Sequence, residues 1–307
     1  MSIRVVFLGT SGSVPTLKRS LPSVVVQSAK ELWMFDCGEN TQRQMMQGKV
    51  SFHKKLNVFL THLHGDHVLG LPGVLQTMAL MDRKEPVSIF GPPGIKDFLV
   101  CTKEALNFGL TFPVEINEIL SEGPVLNEKD YVVTAVKSNH AVNSYSYAFT
   151  EKPRAGKFYP KKAQMLRIPK GELWSKLQAG DEIILLDGKV VRPSDVMGPL
   201  RAGRKIVYSG DTRPFDRFAK FAENADLVIH ESTFDDSLVE KAKLDGHSTP
   251  SQAAEEAKAA GAKQLVLIHI SARYPDATLL LDQAKKVFNN TVIAEDFMEL
   301  ELSLKSN

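Results

Sequence analysis

The chain has 307 residues, 43% of them hydrophobic and 24% charged, which is the composition of a globular protein and excludes a disordered or fibrous one. Its two cysteines, Cys37 and Cys101, belong to no CxxC pattern, which excludes a disulfide framework and a thiolate zinc site and favours a reducing cytoplasm. The net charge of +2 conceals an uneven distribution along the chain.

The basic charge is concentrated in residues 151–170. This segment holds seven Lys or Arg residues against the single acid Glu151, a net charge of +6. The rest of the chain holds 31 basic and 35 acidic residues, a net charge of −4. Such a local surplus favours contact with a polyanion through one element. Nowhere do the roughly 18 apolar residues of a membrane span run together, so no membrane association is expected.

Short apolar runs that predict strands alternate with amphipathic stretches that predict helices. The predicted strands are residues 3–8, 23–28, 32–36, 56–60, 87–90, 130–138, 144–149, 205–209, 226–230, 264–270 and 291–294. The predicted helices are residues 40–48, 70–81, 94–107, 235–243, 250–260 and 277–288. Thr249, followed by Pro250 and then Gln252, predicts a capping box at the start of the helix at 250.

This order of elements is accommodated by an α/β fold with two sheets between helices. Residues 151–170 interrupt the order, because three prolines and Gly156 disfavour both a regular helix and a central strand. We interpret them as a protruding arm, which as a hairpin would reach roughly 30 Å. The alternative is a disordered surface loop, but Phe158, Tyr159 and Met165 are unusual in a solvated linker.

Four potential metal ligands follow the predicted strand 56–60 within six positions: His62, His64, Asp66 and His67. On an extended backbone His62 and His64 point the same way and can share one ion. Asp66 and His67 come after Gly65, where the chain can turn toward a second position. Imidazoles and a carboxylate without a thiolate suit zinc, manganese or iron better than calcium.

The motif HLHGDH resembles the signature of the metallo-β-lactamase superfamily. The resemblance implies a four-layer αββα sandwich that forms a single domain over residues 1–307. It also implies a two-metal site at the strand ends, holding two Zn²⁺ or other divalent ions such as Mn²⁺. It assigns the remaining ligands to His140, Asp211 and His269, each at the end of a predicted strand. The first ion would be held by His62, His64, His140 and Asp211, and the second by Asp66, His67, Asp211 and His269.

Two cations about 3.5 to 4 Å apart can lower the pKa of a water toward ~7 and stabilise the oxygens of a phosphoryl or acyl group. In the implied site Asp211 lies between the ions and offsets their repulsion. Asp66 binds metal and orients the nucleophile, which makes it a catalytic residue.

Further segments resemble the ribonuclease Z family over nearly the whole chain. They are FLGTSGSVPTLKRSLPS (7–23), FDCGENTQRQ (35–44), SGDTRP (209–214), HEST (230–233) and HST (247–249), with Ser232 where the family usually has Ala. The resemblance implies a metal-dependent endoribonuclease that removes the 3′ trailer of precursor transfer RNA and leaves a 3′-hydroxyl and a 5′-phosphate. It also implies a cytoplasmic homodimer.

The resemblance pairs His247 with Glu231 as a general acid and the carboxylate that orients it, a role that suits a histidine near neutral pH. The alternative is a surface histidine that caps the helix at 250. We interpret His230 as structural, and Asp36 as a support of the metal-binding loop. His53 has no position in the family pattern.

We assign RNA binding to the basic arm, through phosphate contacts that depend on salt. A second contact near the cut is expected at the loop with Gly9, Gly12, Lys18 and Arg19, although a plain connection between strands is the competing interpretation. The candidate arm residues are Lys152, Arg154, Lys157, Lys161 and Lys162.

Three other functions are weighed against this one. A small-molecule phosphodiesterase or arylsulfatase-like hydrolase of the same fold would not need a basic arm. A two-domain 5′-exonuclease needs an extra clamping domain, and too few residues separate His140 from Asp211 to hold it. A non-catalytic metal-bearing RNA-binding module would tolerate loss of Asp66 or His247, so the complete set of residues favours the enzyme.

Overall fold

The computed structural model describes residues 3–304 and has an α/β fold built on two large sheets. Within that range the strands are β1 (Ile3–Gly9), β2 (Ser11–Gly12), β3 (Ser23–Gln27), β4 (Glu31–Phe35), β5 (Lys55–Phe59), β6 (Val87–Gly91), β7 (Val114–Glu118), β8 (Gly123–Asn127), β9 (Tyr131–Lys137), β10 (Tyr145–Glu151), β11 (Ile183–Ile184), β12 (Val190–Val191), β13 (Lys205–Tyr208), β14 (Leu227–Glu231), β15 (Leu265–Ile268), β16 (Ile270–Ser271), β17 (Thr291–Ile293) and β18 (Glu299–Leu302).

The helices of the same range are α1 (Thr41–Gln47), α2 (Gly65–Val68), α3 (Leu71–Leu80), α4 (Ile95–Leu106), α5 (Pro160–Met165), α6 (Glu172–Ala179), α7 (Pro193–Val196), α8 (Phe218–Phe221), α9 (Val239–Asp245), α10 (Pro250–Ala259) and α11 (Thr278–Val287). A 3₁₀ turn at Asp236–Leu238 precedes α9. All six predicted helices are present. The predicted capping box of α10 is formed, with Gln252 Oε1 accepting a hydrogen bond from Thr249 N at 3.0 Å.

Each large sheet has seven strands. The first sheet has the order β18-β1-β3-β4-β5-β6-β7, and the second has the order β17-β15-β14-β13-β10-β9-β8. Their facing sides share one apolar core, in which Phe7 and Phe35 of the first sheet pack with Tyr147, Tyr208 and Ile229 of the second. Burial of these large aromatic side chains is the main favourable term that holds the two sheets together.

Helices cover the outer face of each sheet. Met45 of α1 and Leu75 of α3 pack against the outer face of the first sheet, at residues such as Val58. Ala254 of α10 and Leu280 of α11 pack against the outer face of the second. The predicted four-layer αββα architecture is therefore confirmed.

Within the large sheets, the three strands that the sequence patterns do not predict are β7, β8 and β18, and all three lie at sheet edges. Edge strands carry polar and charged side chains that discourage pairing with another chain. β18 reads ELEL and β7 reads VEINE, without the apolar run of an interior strand. Their sequences therefore lack the continuous apolar run from which the interior strands are predicted.

The candidate metal ligands lie beyond the carboxyl ends of strands. β4, β5 and β6 are parallel in the first sheet, and β13, β14 and β15 are parallel in the second. The carboxyl ends of parallel strands meet at one edge of a sheet, where loops can bring side chains together. A two-stranded parallel pair of β2 and β16 lies beside these ends, with Ser11 opposite Ile270.

Residues 151–203 form a second compact unit, separate from the unit of residues 3–150 and 204–303. This unit has its own small apolar core, made by Ala163, Ile168, Leu177, Ile183, Val191 and Val196. The predicted arm boundary at residue 170 therefore lies inside a longer folded insertion.

Two details predicted for residues 151–170 are wrong. The segment is not a hairpin on itself, because Arg154 pairs with Arg201 and Phe158 with Met197, far beyond residue 170. It also contains a helix, α5, whose first residue is Pro160. The first helical position tolerates proline, because the N–H that proline lacks would have no partner there.

Within residues 3–304, every helix is too short or too polar to reach across a bilayer.

Candidate metal centre and histidine–glutamate pair

All seven predicted metal ligands meet in one region of the larger unit. His62 and His64 follow β5, and Asp66 and His67 lie on the short helix α2. The other three follow β9, β13 and β15. Together with a ring nitrogen of His247, their side-chain nitrogen and oxygen atoms fall into overlapping groups of three, and the atoms of each group lie within 4.8 Å of one another. The groups are His62, His64 and His140; His62, His67 and Asp211; Asp66, His67 and His269; and Asp211, His247 and His269.

The first cluster contains three imidazoles from two loops. His62 Nε2 lies 2.9 Å from His64 Nδ1, and His140 Nε2 lies 3.4 Å from the same atom. His62 is fully buried, whereas His64 is exposed to solvent. Three ring nitrogens that converge in this way can hold one cation at the open end of the site.

The second cluster lies deeper and contains both acids. His67 Nε2 lies 3.4 Å from Asp66 Oδ2 and 3.4 Å from Asp211 Oδ2. His269 Nε2 lies 3.4 Å from Asp66 Oδ2 and 3.4 Å from Asp211 Oδ1. Asp211 Oδ2 also lies 3.8 Å from His62 Nε2, so this carboxylate stands between the two clusters.

These separations match a shared cation better than direct hydrogen bonds. A charged N–H···O bond is about 2.7 to 2.9 Å long. Two ligand atoms that each lie about 2.0 to 2.2 Å from one tetrahedral ion are about 3.4 Å apart. In addition, His67 Nε2 and Asp211 Oδ1 are buried without a hydrogen-bond partner. Such orphaned atoms are rare in folded proteins, and a bound cation would satisfy both.

Hydrogen bonds behind the site orient the histidine rings. His140 Nδ1 donates to Gly246 O at 2.8 Å, because a carbonyl only accepts. His67 Nδ1 donates to Asp36 Oδ2 at 2.8 Å. The hydroxyl of Thr61 donates its single proton to Asp36, so it accepts from His62 Nδ1 at 2.9 Å. With Nδ1 engaged in this way, each ring turns its Nε2 toward the site as the atom that can bind a metal.

Thr233 orients His269 in the same manner. Its hydroxyl donates to Glu231 Oε2 at 2.7 Å and accepts from His269 Nδ1 at 2.8 Å. The Nε2 atom of His269 then faces Asp66 and Asp211 with a lone pair. Thr233 is the last residue of HEST, but its role in holding a metal-site histidine is not predicted from the sequence.

The pKa shifts show how strongly the acids and histidines of the site act on one another. Burial acts to raise the pKa of Asp66, but His269 and His67 outweigh it and hold that pKa below its ordinary value. Burial acts to lower the pKa of His67, but Asp211 and Asp36 raise it well above its ordinary value. For His62 burial prevails and lowers the pKa, which keeps the ring in the neutral form that binds metal.

His247 and Glu231 form a buried pair beside the metal cluster. His247 Nδ1 donates to Glu231 Oε1 at 2.9 Å, and only 11% of the histidine side chain is exposed. Glu231 also accepts from Thr212 N at 2.9 Å, so its position is held from two sides. With Nδ1 engaged, the Nε2 atom of His247 is left to exchange a proton.

The carboxylate keeps His247 protonated. Burial alone would lower the pKa of His247, but the charge and hydrogen bond of Glu231 outweigh it and raise the pKa to about 9. The ring therefore carries a transferable proton at neutral pH. His247 does precede α10 as the capping alternative requires, but the cap of that helix is Thr249.

His230 and Asp36 lie where supporting residues are expected. His230 is buried and bonds Glu256 Oε2 at 2.9 Å on one side and Glu231 O at 2.8 Å on the other. Asp36 accepts from Thr61 N at 2.8 Å and from Tyr208 Oη at 2.9 Å, in addition to His67. Tyr208, which ends β13, is a supporting residue that the sequence patterns do not identify.

The two candidate RNA contacts in the loop between β2 and β3, Lys18 and Arg19, differ in their exposure to solvent. Lys18 is exposed. The Arg19 guanidinium is partly buried and donates to Thr10 Oγ1 at 2.8 Å and to Ala294 O. Burial lowers the pKa of Arg19, although Asp296 and Glu295 act in the opposite direction. Of the pair, only Lys18 presents its ammonium to solvent.

The candidate RNA-binding residues of the insertion are mainly exposed. Lys157, Lys161 and Lys162 are exposed, whereas Lys152 and Arg154 are half-buried. Lys162 Nζ lies 5.0 Å from the centre of the Tyr159 ring, close enough for a cation–π contact.

Two family models match the chain. Residues 3–154 match the family described as anti-Pycsar protein Apyc1, and residues 192–270 match the beta-lactamase superfamily domain. Together the two matches span the segments that carry the metal cluster and the His247–Glu231 pair.

Relatives match over almost the whole length. The chain is 45% identical to a ribonuclease Z of Methanosarcina acetivorans over 98% of both chains. It is 42% identical to a ribonuclease Z of Nitrosopumilus maritimus over 98% of this chain and 100% of that one. A ribonuclease Z of Gemmatimonas aurantiaca is 45% identical, over 99% of this chain and 97% of the relative.

Solved structures are also similar to this chain over almost its whole length. The short form of human tRNase Z superposes with a TM-score of 0.72 at 30% identity, covering 99% of this chain and 100% of that one. The metallo-beta-lactamase fold protein YhfI of Bacillus subtilis superposes with a TM-score of 0.69 at 22% identity, covering 98% and 100%, which supports the fold alone.

Proposed function

Because the chain belongs to the ribonuclease Z family of metallo-β-lactamase hydrolases, endoribonucleases that process the 3′ end of transfer RNA, we propose that it cuts with two metal ions and a histidine general acid. Family membership makes it a metal-binding hydrolase of transfer RNA. The number and identity of the ions, the ligand set and the role of each residue belong to the proposal.

The proposal assigns His62, His64 and His140 to one ion and Asp66, His67 and His269 to the other, with Asp211 shared. The observation that carries the proposal is the set of 3.4 Å separations between histidine nitrogens and carboxylate oxygens. Two of these atoms, His67 Nε2 and Asp211 Oδ1, are buried without a hydrogen-bond partner. When bound, two divalent ions lower the pKa of the attacking water and stabilise charge on the phosphate. Zn²⁺ suits these ligands, and Mn²⁺ is the alternative.

The residues of the chain then have separate tasks. Asp66 would hold metal, and it would accept a hydrogen bond from the attacking water, which orients the water toward phosphorus. The bond between phosphorus and the 3′ oxygen of the transfer RNA breaks, and His247 Nε2 gives its proton to that oxygen. Glu231 keeps the ring aimed and protonated. The products are a 3′-hydroxyl on the transfer RNA and a 5′-phosphate on the trailer.

We assign RNA recognition to the insertion, where the exposed Lys157, Lys161 and Lys162 can each neutralise a phosphate. Lys152, Arg154 and Lys18 complete the proposed contact set. Arg19 would act through the loop that it braces, because its guanidinium is engaged by Thr10 and Ala294.

We also propose a homodimer in the cytoplasm. The homodimer follows from the family resemblance, and the exposed apolar side chains Met46 of α1 and Leu80 of α3 are candidate contacts. The two free cysteines, Cys37 and Cys101, support a reducing compartment. Light scattering after gel filtration measures the first proposal directly, and a monomer at micromolar concentration contradicts it.

The decisive experiment incubates the purified chain with end-labelled precursor transfer RNA, with and without a metal chelator. We expect one cut at the 3′ side of the acceptor stem, with a 3′-hydroxyl on the upstream product, and loss of the cut with chelator. Metal analysis of the same sample should give two divalent ions per chain. Cleavage that persists in chelator, or a 3′-phosphate product, contradicts the mechanism.

A further inference from the structure

A loop of residues 10–20 reaches from β1 to the metal cluster and back to β3. Its two ends are held together by the backbone, where Thr10 N and Ser11 N both donate to Ser20 O at 2.9 Å. Between those ends the backbone turns at Ser13, whose φ of 60° is left-handed. A loop of this kind needs support from outside, because a left-handed residue other than glycine is strained.

The support comes from Asp296, near the end of the chain. Asp296 Oδ1 accepts from Thr10 Oγ1 at 2.7 Å, and Oδ2 accepts from Ser20 N at 2.7 Å. Oδ2 also accepts from Gln44 Nε2 of α1 at 2.9 Å, and this side chain is buried. One carboxylate therefore joins both ends of the loop to a helix of the outer layer.

The far end of the same loop contacts the metal site. Ser13 N donates to Asp66 Oδ2 at 2.9 Å. Gly12 lies so close to His269 that a Cβ on the glycine would be 2.5 Å from His269 Nδ1. A shift of the loop would therefore displace Asp66 or His269, both of which we assign to the metal site.

We propose that Asp296 is a positioning residue for Asp66: it fixes the base of the loop so that the Ser13 amide holds the Asp66 carboxylate in its reactive orientation. The proposal rests on the role that the proposed function gives to Asp66. Asp296 does not touch the metal cluster, so it acts on the reaction only through the loop.

The first test measures kcat and KM of Asp296→Ala with precursor transfer RNA and with bis(p-nitrophenyl) phosphate, together with bound metal. We expect kcat to fall roughly tenfold to a hundredfold with both substrates, since a small misplacement of a reacting group costs about that much. KM and metal content should stay at wild-type values. Asp296→Asn should restore much of the activity, because its oxygen can serve Ser20 and Gln44 while its amide donates to Thr10 Oγ1.

A matched control is Glu295→Gln, which removes the neighbouring exposed carboxylate and should leave both substrates unaffected. A second pair tests the loop itself. Ser13→Gly keeps the amide and suits the left-handed backbone, so it should retain activity. Ser13→Pro removes the amide and also forces φ away from 60° toward about −65°, so kcat should fall at least as far as in Asp296→Ala. This pair also replaces Asp296→Ala if that variant does not fold.

Several results would overturn the proposal. A rise in KM for transfer RNA alone would make the loop an RNA-binding element that is independent of Asp66. Loss of metal in Asp296→Ala, or equal activity of Ser13→Pro and wild type, would also reject it. Failure of the proposed function looks different: the wild type then hydrolyses the small phosphodiester but not precursor transfer RNA, and the kcat comparison still tests Asp296 on the small substrate.

Discussion

The metal cluster and the insertion of residues 151–203 use polar side chains in opposite ways. Around the cluster His62, His67 and Glu231 are buried, and each is oriented by a hydrogen bond of 2.8 to 2.9 Å. In the insertion Lys157 and Lys161 face solvent. Chemistry requires that a given atom point in a given direction, whereas attraction of a polyanion requires only that charge be present.

The cores of the two units reflect the same contrast. The larger unit has extensive apolar clusters on both faces of its sheets, which hold the strand ends rigid. The insertion has one small cluster of six buried side chains. Substitutions at the metal cluster should therefore abolish chemistry on any substrate, while substitutions in the insertion should affect transfer RNA alone.

The largest effect is expected for Asp66→Ala. Removal of this carboxylate should lower kcat by more than about 10³-fold with both precursor transfer RNA and bis(p-nitrophenyl) phosphate, because one substitution removes both a metal ligand and the group that orients the nucleophile. RNA binding, measured by filter retention, should survive. Undiminished turnover contradicts the two-metal mechanism.

His247→Ala should lower kcat by about 10²- to 10⁴-fold with metal still bound, since the substitution removes a general acid and no ligand. Metal analysis of the purified variant checks the second half of this prediction. If the ions are missing, His247 belongs among the ligands, as its 3.9 Å distance to Asp211 would allow.

Replacement of Lys157, Lys161 and Lys162 with Ala should weaken transfer RNA binding by roughly tenfold to a hundredfold. The slope of log Kd against log salt should also flatten, by about 0.7 to 0.9 for each phosphate that is no longer neutralised. Hydrolysis of the small phosphodiester should not change. Lys176→Ala is the matched control, because Lys176 is paired with Glu172 at 2.8 Å within the same insertion. An equal decrease on both substrates would show that these lysines stabilise the fold.

The smallest effect is a shift of the pH profile in Glu231→Gln. A general acid works only while it is protonated, so activity should fall as pH rises through the pKa of His247. Burial lowers that pKa, but Glu231 raises it to about 9. Without the carboxylate, the alkaline limb of the kcat profile should move to lower pH, by roughly one unit. An unchanged limb means that another group supplies the proton.

Much of the fold was accessible from local patterns. The interior strands and all six predicted helices carry apolar periodicity or capping residues that act within a few positions, as at Thr249 and Gln252. The edge strands β7, β8 and β18 lack an apolar run, because each pairs with a neighbour on one side only and buries its side chains only in part, as at Ile116 and Leu300. The start of α5 at Pro160 shows that a proline restricts a helix only according to its position.

The boundaries of the insertion could not be predicted from local sequence patterns. Its charge is visible in residues 151–170, but the partner of its first limb lies at 197–201, and only the folded chain brings the two together. The same holds for Thr233, Tyr208 and Asp296. Each is an ordinary polar residue in sequence, and its role depends on atoms that lie far along the chain.

By itself, the sequence determined which side chains are available for metal and proton chemistry, because HLHGDH and the later His and Asp residues supply the potential metal ligands. Tertiary structure decided how those side chains can work. Hydrogen bonds to the Nδ1 atoms determine which ring nitrogen faces the site, and they come from Asp36, Thr61, Gly246 and Thr233. Glu231 raises the pKa of His247. The physical reason is that a ligand type is a property of one residue, whereas orientation and pKa are properties of its neighbours in space.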